Sequence, residues 1–129
     1  MSNNAEFIKN LYGAFAKGDV PFVLGSFDPN IEWIEAEGFP TGGTYNSPEE
    51  VLNGVFMPLV TDWDGYRVEP EEFLDAGNRI VALGHYSGTY KATGKSMRVP
   101  FAHVWTVQNA KIVKFVQYTD TLKVAEALS

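Results

Sequence analysis

Three side chains that can carry a proton stand at separate places in the chain, each close to aromatic or apolar neighbours. His103 lies in the run Phe-Ala-His-Val-Trp at 101–105, Glu35 follows Trp33 by two positions, and Asp120 comes just after a strand-like segment. An imidazole has a pKa near neutrality, and burial near apolar rings raises the pKa of a carboxyl group. His103 with Glu35 is therefore predicted to carry out general acid–base catalysis on an enclosed ligand.

Each of these side chains also has a purely structural explanation. His103 can be a neutral core imidazole with satisfied hydrogen bonds, and Glu35 can be a solvated glutamate at the end of a strand. Asp120 is well placed to be the N-cap of a terminal helix. The sequence leaves these alternatives open.

The composition argues against several other kinds of chemistry. The chain has no cysteine, which excludes disulfides, thiolate zinc sites and cysteine nucleophiles. His85 and His103 fall on opposite faces of their strands, so they do not converge on a metal. Gly42 and Gly43 are too few for a phosphate-binding loop and lack the Lys-Ser or Lys-Thr that follows one. We therefore expect neither a metal nor a cofactor.

Length and charge limit the partners and the location. The 129 residues, 45% of them hydrophobic, predict a single domain over 1–129. A net charge of −6 without a basic cluster argues against nucleic-acid binding. The first residues have neither the basic region nor the apolar run of a secretory signal, and no later segment has the apolar length of a membrane span. We expect a cytoplasmic protein that does not bind membranes.

A hairpin over residues 79–108, with its turn at 92–95, is predicted to position His103. Alternation along its second strand puts bulky apolar side chains on the same face as His103. If Lys91 pairs with Ser96, Gly84 lies opposite His103. The missing side chain there predicts a space in front of the imidazole, and hence a cavity.

The register of the last strand, at 111–119, allows two interpretations. A two-residue type I′ turn at Asn109 and Ala110 puts Lys114 on the face of His103, whereas a three-residue loop puts Gln117 there. Ala110 suits the first turn poorly, and burying Lys114 is costly. We expect the second register, with Gln117 facing the cavity.

The remaining elements should cover or extend this sheet. An apolar stripe over residues 7–15 predicts a first helix that ends at Gly18, and Asp19 is the predicted N-cap of a short second helix. A Ser-Pro-Glu-Glu capping box at 47–50 predicts a third helix, which Pro58 should end close to residue 57.

Two further strands are predicted from alternation and turn formers. Residues 31–35 should form a short strand that places Glu35 on the same face as Trp33. Residues 65–75 should form a broken strand in which Pro70 marks a bulge or an edge.

The face of the sheet opposite His103 has the character of an interface. Val104, Val116 and Tyr118 point to that face among polar neighbours, and no helix remains to cover them. We therefore expect a homodimer through the outer face of the sheet.

A helix hairpin, a short strand, a Gly-rich loop, a capped helix and a curved antiparallel sheet follow one another in this chain. This order resembles the nuclear transport factor 2-like (NTF2-like) superfamily. Residues 39–45, 101–105 and 117–121 are most similar to its SnoaL-like branch, which is related to ketosteroid isomerases. The resemblance implies Asp120 as the alternative partner of His103 in acid–base catalysis, because it matches an aspartate that is common after the last strand in this branch. The resemblance covers the whole chain. It implies an α+β fold, a cystatin-like roll in which a cone-shaped, curved antiparallel sheet holds the N-terminal helices in its concavity around an apolar pocket.

The resemblance implies several activities and fixes none of them. Members include isomerases, polyketide cyclases, dehydratases and epoxide hydrolases, and also proteins that only bind or tether. The catalytic carboxylate of ketosteroid isomerases falls on Trp33 here, their helix-one tyrosine on Leu11, and their protonated aspartic acid on His103. Steroid isomerisation by that set of residues is therefore not expected.

The predicted function is a small hydrophobic-ligand pocket with isomerase, cyclase or dehydratase chemistry, carried out by acid–base groups without metal. The alternatives are non-catalytic binding of an apolar small molecule, or a dimerisation module. Seven side chains are the predicted pocket wall, with core packing as the alternative for each: Trp33, Tyr45, Phe56, Tyr86, Phe101, Trp105 and Gln117. If the cavity lies in front of His103, His103→Gln should fold nearly as well as the original.

Overall fold

Two helices begin the fold in the computed structural model, which describes residues 3–129. They are α1 (Asn3–Lys17) and α2 (Val20–Gly25). Gly18 has a φ of 72°, the left-handed value that ends a helix. The side chain of Asp19 accepts a hydrogen bond from a backbone N–H in the first turn of α2. The predicted helix hairpin is confirmed.

Within residues 3–129, six strands form one curved, open sheet. They are β1 (Phe27–Glu35), β2 (Gly43–Tyr45), β3 (Trp63–Ala76), β4 (Arg79–Tyr90), β5 (Ser96–Gln108) and β6 (Lys111–Thr119). Their order is β2-β1-β6-β5-β4-β3, and only β1 and β6 run parallel. Helix α1 packs on β3 and β4, and α5 (Thr121–Leu128) packs on β4 and β5. The predicted α+β fold class is confirmed.

The third helical segment begins where the capping box predicts and then continues past Pro58. It consists of α3 (Pro48–Val51), a π-helical turn (Leu52–Phe56) and α4 (Met57–Asp62). Pro58 has no N–H and its ring clashes with the carbonyl four residues earlier in an α-helix. The π turn widens the helix at this point, so the prediction that Pro58 ends it was wrong. No helix in residues 3–129 has the length and apolarity of a membrane span.

The central hairpin forms, but its register differs from the prediction by two residues. Thr89, not Lys91, pairs with Ser96. The backbone N–H of Lys91 donates instead to the carbonyl of Asp62 at the end of α4, 3.0 Å away. A displacement of two residues keeps each side chain on its predicted face.

The new register overturns the predicted role of Gly84. Ala82, and not Gly84, lies opposite His103. A Cβ atom on residue 84 would come within 2.1 Å of the carbonyl oxygen of Glu69. Edge strand β3 changes register after Pro70, next to Gly84. The glycine therefore allows the backbone of β3 to approach closely. It does not open a space in front of the imidazole. The predicted irregularity at Pro70 is confirmed.

The turn before β6 also differs from the prediction, although the face that β6 presents does not. Asn109 and Ala110 have φ values of 52° and 60°, which form the two-residue turn that the sequence disfavoured. A bulge at Val113 adds one residue to β6 and reverses the alternation after it. Gln117 therefore faces His103, as predicted.

The outer face of the sheet is partly apolar in the single chain. Tyr118 is 58% exposed, while Val104 and Val116 are half-buried. The homodimer through this face stays a prediction.

Candidate active site

A cavity of about 570 Å³ lies between α1, α2, the third helical segment and the concave face of the sheet. Its wall is mainly aromatic and aliphatic, which is typical of small-molecule sites. Polar side chains with buried functional groups also line it: Tyr12, Glu35, Tyr66, Tyr86, His103 and Gln117. The exposed side chains in the wall mark where the cavity meets solvent: Ala16, Asp19, Val20, Val60, Arg67 and Glu69.

His103 is held at both ring nitrogens by tyrosine hydroxyls. The oxygen of Tyr12 lies 2.6 Å from Nδ1, and Tyr86 makes a short hydrogen bond with Nε2. Phe101 stacks on the imidazole with ring centroids 4.0 Å apart. Burial lowers the pKa of His103 well below its ordinary value of 6.5, because a charged imidazole would lose its hydration. His103 is therefore neutral.

Each tyrosine oxygen also accepts a hydrogen bond from a fixed donor. Trp105 Nε1 donates to Tyr12, and Gln117 Nε2 donates to Tyr86, both at 2.9 Å. The backbone N–H of Ala36 donates to Gln117 Oε1 at 2.9 Å, which fixes the orientation of the amide. Burial raises the pKa of both tyrosines, so both remain neutral hydroxyl groups.

Glu35 is the buried carboxyl group of the cavity. Trp33 Nε1 donates to its Oε2 at 2.9 Å, and the Thr41 hydroxyl donates to its Oε1 at 2.8 Å. Trp33 shares a face of β1 with Glu35, and Thr41 comes from the Gly-rich loop between β1 and β2. Desolvation outweighs these two hydrogen bonds and raises the pKa of Glu35 to about 7. Both protonation states are therefore populated near neutral pH, as a general acid–base group requires.

Tyr66 adds a hydroxyl without a hydrogen-bond partner. Within residues 3–129, its oxygen is the buried side-chain polar atom for which no partner is found. Its ring packs against that of Tyr86 with centroids 5.8 Å apart. Burial and the nearby charge of Glu35 raise the pKa of Tyr66. It is a neutral hydroxyl that a ligand could satisfy.

The structure brings together two of the three predicted catalytic residues. His103 and Glu35 both line the cavity. Asp120 is not in the cavity wall; its carboxylate accepts a hydrogen bond from the backbone N–H of Lys123 at 3.1 Å, as the N-cap of α5. The contacts of Asp120 therefore agree with the structural alternative, in which it caps the terminal helix.

Most of the predicted pocket wall lines the cavity: Trp33, Phe56, Tyr86, Trp105 and Gln117. Phe101 and Tyr45 do not. Phe101 supports His103 by stacking, while the Tyr45 hydroxyl donates to the carbonyl of Thr41 at 2.8 Å and to that of Gly54 at 3.4 Å.

Sequence reasoning missed Tyr12 and Tyr66. The resemblance placed the helix-one tyrosine on Leu11, which is fully buried in the core. Tyr12, one position later, reaches His103 instead. The available signal was a hydroxyl within an otherwise apolar helical stripe, because a buried tyrosine usually finds a hydrogen-bond partner. Tyr66 had no comparable signal.

Comparisons with known proteins agree with this architecture. A family model for the SnoaL-like domain matches residues 8–115. An NTF2-like protein from Burkholderia thailandensis is 42% identical, with a TM-score of 0.96 over 100% of this chain and 99% of that one. An NTF2-like protein of unknown function from Burkholderia pseudomallei is 32% identical, with a TM-score of 0.90 over 100% and 99%. TerC, co-crystallised with polyporic acid, is 28% identical, with a TM-score of 0.88 over 98% of both chains. The search of curated proteins gives no match.

Proposed function

The chain belongs to the SnoaL-like domain family, and from that premise we propose that its cavity binds a small, mostly apolar molecule on which Glu35 moves a proton. The ligand carries a carbonyl or hydroxyl oxygen, and the chemistry is that of an isomerase, cyclase or dehydratase. The observation that carries the proposal is a buried carboxyl group in the cavity wall with a pKa of about 7. Such a group can accept a proton and return it at neutral pH.

Glu35 acts in both directions within one turnover. Its carboxylate takes a proton from a carbon beside the ligand carbonyl, or from a ligand hydroxyl, and its carboxylic acid then returns a proton to another atom of the ligand. Hydrogen bonds from Trp33 and Thr41 hold the carboxyl group in place. Because the carboxyl group is fixed and buried, it is already oriented for proton transfer to and from a bound ligand.

His103 serves as a positioning residue in this proposal. Both of its ring nitrogens are bonded to tyrosines and its pKa is lowered, so it is a poor proton carrier. Its contacts orient the neutral hydroxyls of Tyr12 and Tyr86, which line the cavity, and one of the two can donate to a ligand oxygen. Donors of this kind stabilise negative charge that develops on a ligand oxygen.

The size of the cavity is consistent with a small organic ligand. Small-molecule sites typically enclose roughly 300–1,000 Å³, and this cavity of about 570 Å³ lies within that range. TerC was co-crystallised with polyporic acid, an aromatic hydroxyquinone. That likeness supports aromatic ketones, phenols and hydroxyquinones as the first compounds to test.

The experiment separates binding from proton transfer. Compounds that raise the melting temperature are identified first, because a ligand that binds the folded state stabilises it by mass action. Exchange of the α-hydrogens of a bound ketone is then followed by NMR in D₂O. We expect Glu35→Gln to bind the ketone and to slow the exchange about 10²–10⁴-fold.

Glu32→Gln is the matched control. Glu32 lies on the same strand but is exposed, 3.4 Å from Lys114, and its replacement should leave the exchange rate unchanged. Asp120→Asn, at the third predicted catalytic position, should also leave it unchanged. If Glu35→Gln binds the ketone and exchanges it at the wild-type rate, the enzymatic proposal is wrong and non-catalytic binding remains.

A further inference from the structure

Tyr12, His103 and Tyr86 together carry more polar protons than there are hydrogen bonds between them. Tyr12, Tyr86 and the neutral imidazole carry three polar protons between them, while two hydrogen bonds join them. Each tyrosine oxygen already accepts a hydrogen bond, from Trp105 Nε1 and from Gln117 Nε2 respectively. Neither of these two groups can accept a proton in return. One of the three protons is therefore left without an acceptor inside the group.

The tautomer of His103 decides which hydroxyl keeps this proton. With the proton on Nδ1, His103 donates to Tyr12 and Tyr86 donates to Nε2, so the Tyr12 proton is free. With the proton on Nε2, the roles are exchanged and the Tyr86 proton is free. In either case the other tyrosine keeps one free lone pair. Both tyrosines line the cavity, where a ligand can meet the donor and the acceptor.

We propose that Tyr12, His103 and Tyr86 form a tautomeric switch that offers the ligand one hydroxyl donor and one hydroxyl acceptor and exchanges the two. A ligand carbonyl selects the tautomer that makes its neighbouring tyrosine a donor. A ligand hydroxyl that donates to the same tyrosine selects the other tautomer. The change moves one proton between Nδ1 and Nε2 and leaves the charge of the group unaltered. The ligand part of this inference rests on the proposed function, whereas the switch in the free protein does not.

The ¹⁵N chemical shifts of the imidazole test the switch, because protonated and unprotonated ring nitrogens resonate far apart. A His85→Gln background leaves His103 as the single histidine. We expect Tyr12→Phe to place the proton on Nε2, where it can be donated to the remaining Tyr86. Tyr86→Phe should place it on Nδ1, facing Tyr12. Tyr66→Phe is the matched control, and it should keep the wild-type ratio of tautomers.

A second arm needs no cavity variant and therefore does not depend on whether the tyrosine variants fold. The His85→Gln protein, with its cavity intact, is titrated with acetophenone, whose oxygen only accepts, and with phenol, whose oxygen also donates. Binding of each is followed by melting temperature, and the ratio of tautomers by NMR. The two probes should shift the ratio, in opposite directions.

The possible outcomes separate the switch from the proposed function. The same tautomer in Tyr12→Phe and Tyr86→Phe, or an imidazole protonated on both nitrogens at neutral pH, overturns the switch. Probes that bind without changing the tautomer ratio also count against it. Opposite tautomers in the two variants, with neither probe bound, support the switch and contradict the proposed ligand class. Opposite tautomers together with a ratio that responds to the probes support both.

Discussion

Glu35 and His103 lie in the same cavity wall and are equally buried, at 4% exposure each, yet burial moves their pKa values in opposite directions. It raises the pKa of Glu35 to about 7 and lowers that of His103 well below 6.5. The cause is the same in both cases, because each group loses the hydration of its charged form. Burial thereby brings the pKa of the carboxyl group close to neutral pH and moves the pKa of the imidazole away from it.

The neighbours of the two groups reinforce this difference. Glu35 accepts hydrogen bonds from Trp33 and Thr41 at its two oxygens, which keeps its ionised form accessible. His103 contacts Tyr12 and Tyr86, whose neutral hydroxyls suit a neutral imidazole. The residue type whose usual pKa is near seven is therefore not the one prepared for proton transfer. The environment of each group, rather than its residue type, decides this.

The largest expected effect is the pH dependence that Glu35 gives to folding. Its pKa is about 7 in the folded protein against an ordinary 4.5. The stability it contributes is therefore fully present below pH 4.5 and is lost as the pH rises through about 7. The loss amounts to about 3 kcal/mol. The free energy of unfolding of Glu35→Gln, relative to that of the wild type, should therefore rise by about this amount between pH 4 and pH 8.

Urea unfolding at both pH values measures this difference. Glu32→Gln, exposed on the same strand, should show no comparable change with pH. His103 has the opposite effect on the pH dependence of folding. Its contribution to stability is present above pH 6.5 and is lost as the pH falls. Glu35→Gln should therefore lose stability more steeply than the wild type below this pH. A difference between Glu35→Gln and wild type that stays constant from pH 4 to pH 8 would show that Glu35 is not the shifted group.

The second expected effect is the cost of replacing His103. A glutamine amide cannot reach both Tyr12 and Tyr86 in the place of the ring, so one hydroxyl loses its partner, and His103→Gln should cost about 2 kcal/mol. The sequence predicted nearly normal folding, on the basis of a space that Gly84 does not provide. The structure favours the costlier outcome.

His85→Gln is the control for this comparison between histidines. His85 is only partly buried and contacts the exposed carboxylate of Glu71 at 2.9 Å. Its replacement should change the free energy of unfolding by less than about 0.5 kcal/mol. Equal losses in His85→Gln and His103→Gln would mean that the two buried hydrogen bonds of His103 do not contribute to stability.

Local signals in the sequence predicted much of the fold because they depend on a few adjacent residues. Gly18 ends α1, Asp19 caps α2 and Ser47 caps α3, each through contacts within one helical turn. Alternation likewise placed Glu35 and His103 on the inner face of the sheet, because the period of a strand is two residues.

The remaining features depend on groups that are distant in sequence. In the observed hairpin register the backbone N–H of Lys91 is bonded to Asp62, and Pro58 is tolerated inside a helical segment that contains a π turn. The bulge at Val113 cancels the effect of an unexpected turn. No pattern of neighbouring residues in the sequence predicts the hairpin register, the helix through Pro58 or the bulge at Val113.

The candidate site was predictable to the same extent. The position of Glu35 beside Trp33 follows from their spacing, but the bond from Thr41 depends on how the Gly-rich loop folds back. Tyr12 is part of a helical stripe whose spacing indicates packing alone. Only the three-dimensional structure brings its hydroxyl to His103.

The smallest expected effect distinguishes two neighbouring tyrosines of the cavity wall. Tyr86 has hydrogen-bond partners for its buried hydroxyl, whereas Tyr66 has none in the described chain. A buried hydroxyl without a partner costs free energy, so Tyr66→Phe should leave stability unchanged or raise it by up to about 1 kcal/mol. Tyr86→Phe should lower it by about 1–2 kcal/mol.

A ligand whose oxygen pairs with Tyr66 should bind Tyr66→Phe more weakly than the wild type, which is measured as a smaller ligand-induced rise in melting temperature. If Tyr66→Phe destabilises the free protein as much as Tyr86→Phe does, its hydroxyl has a partner inside the protein. If the ligand-induced rise is the same as in the wild type, Tyr66 takes no part in binding.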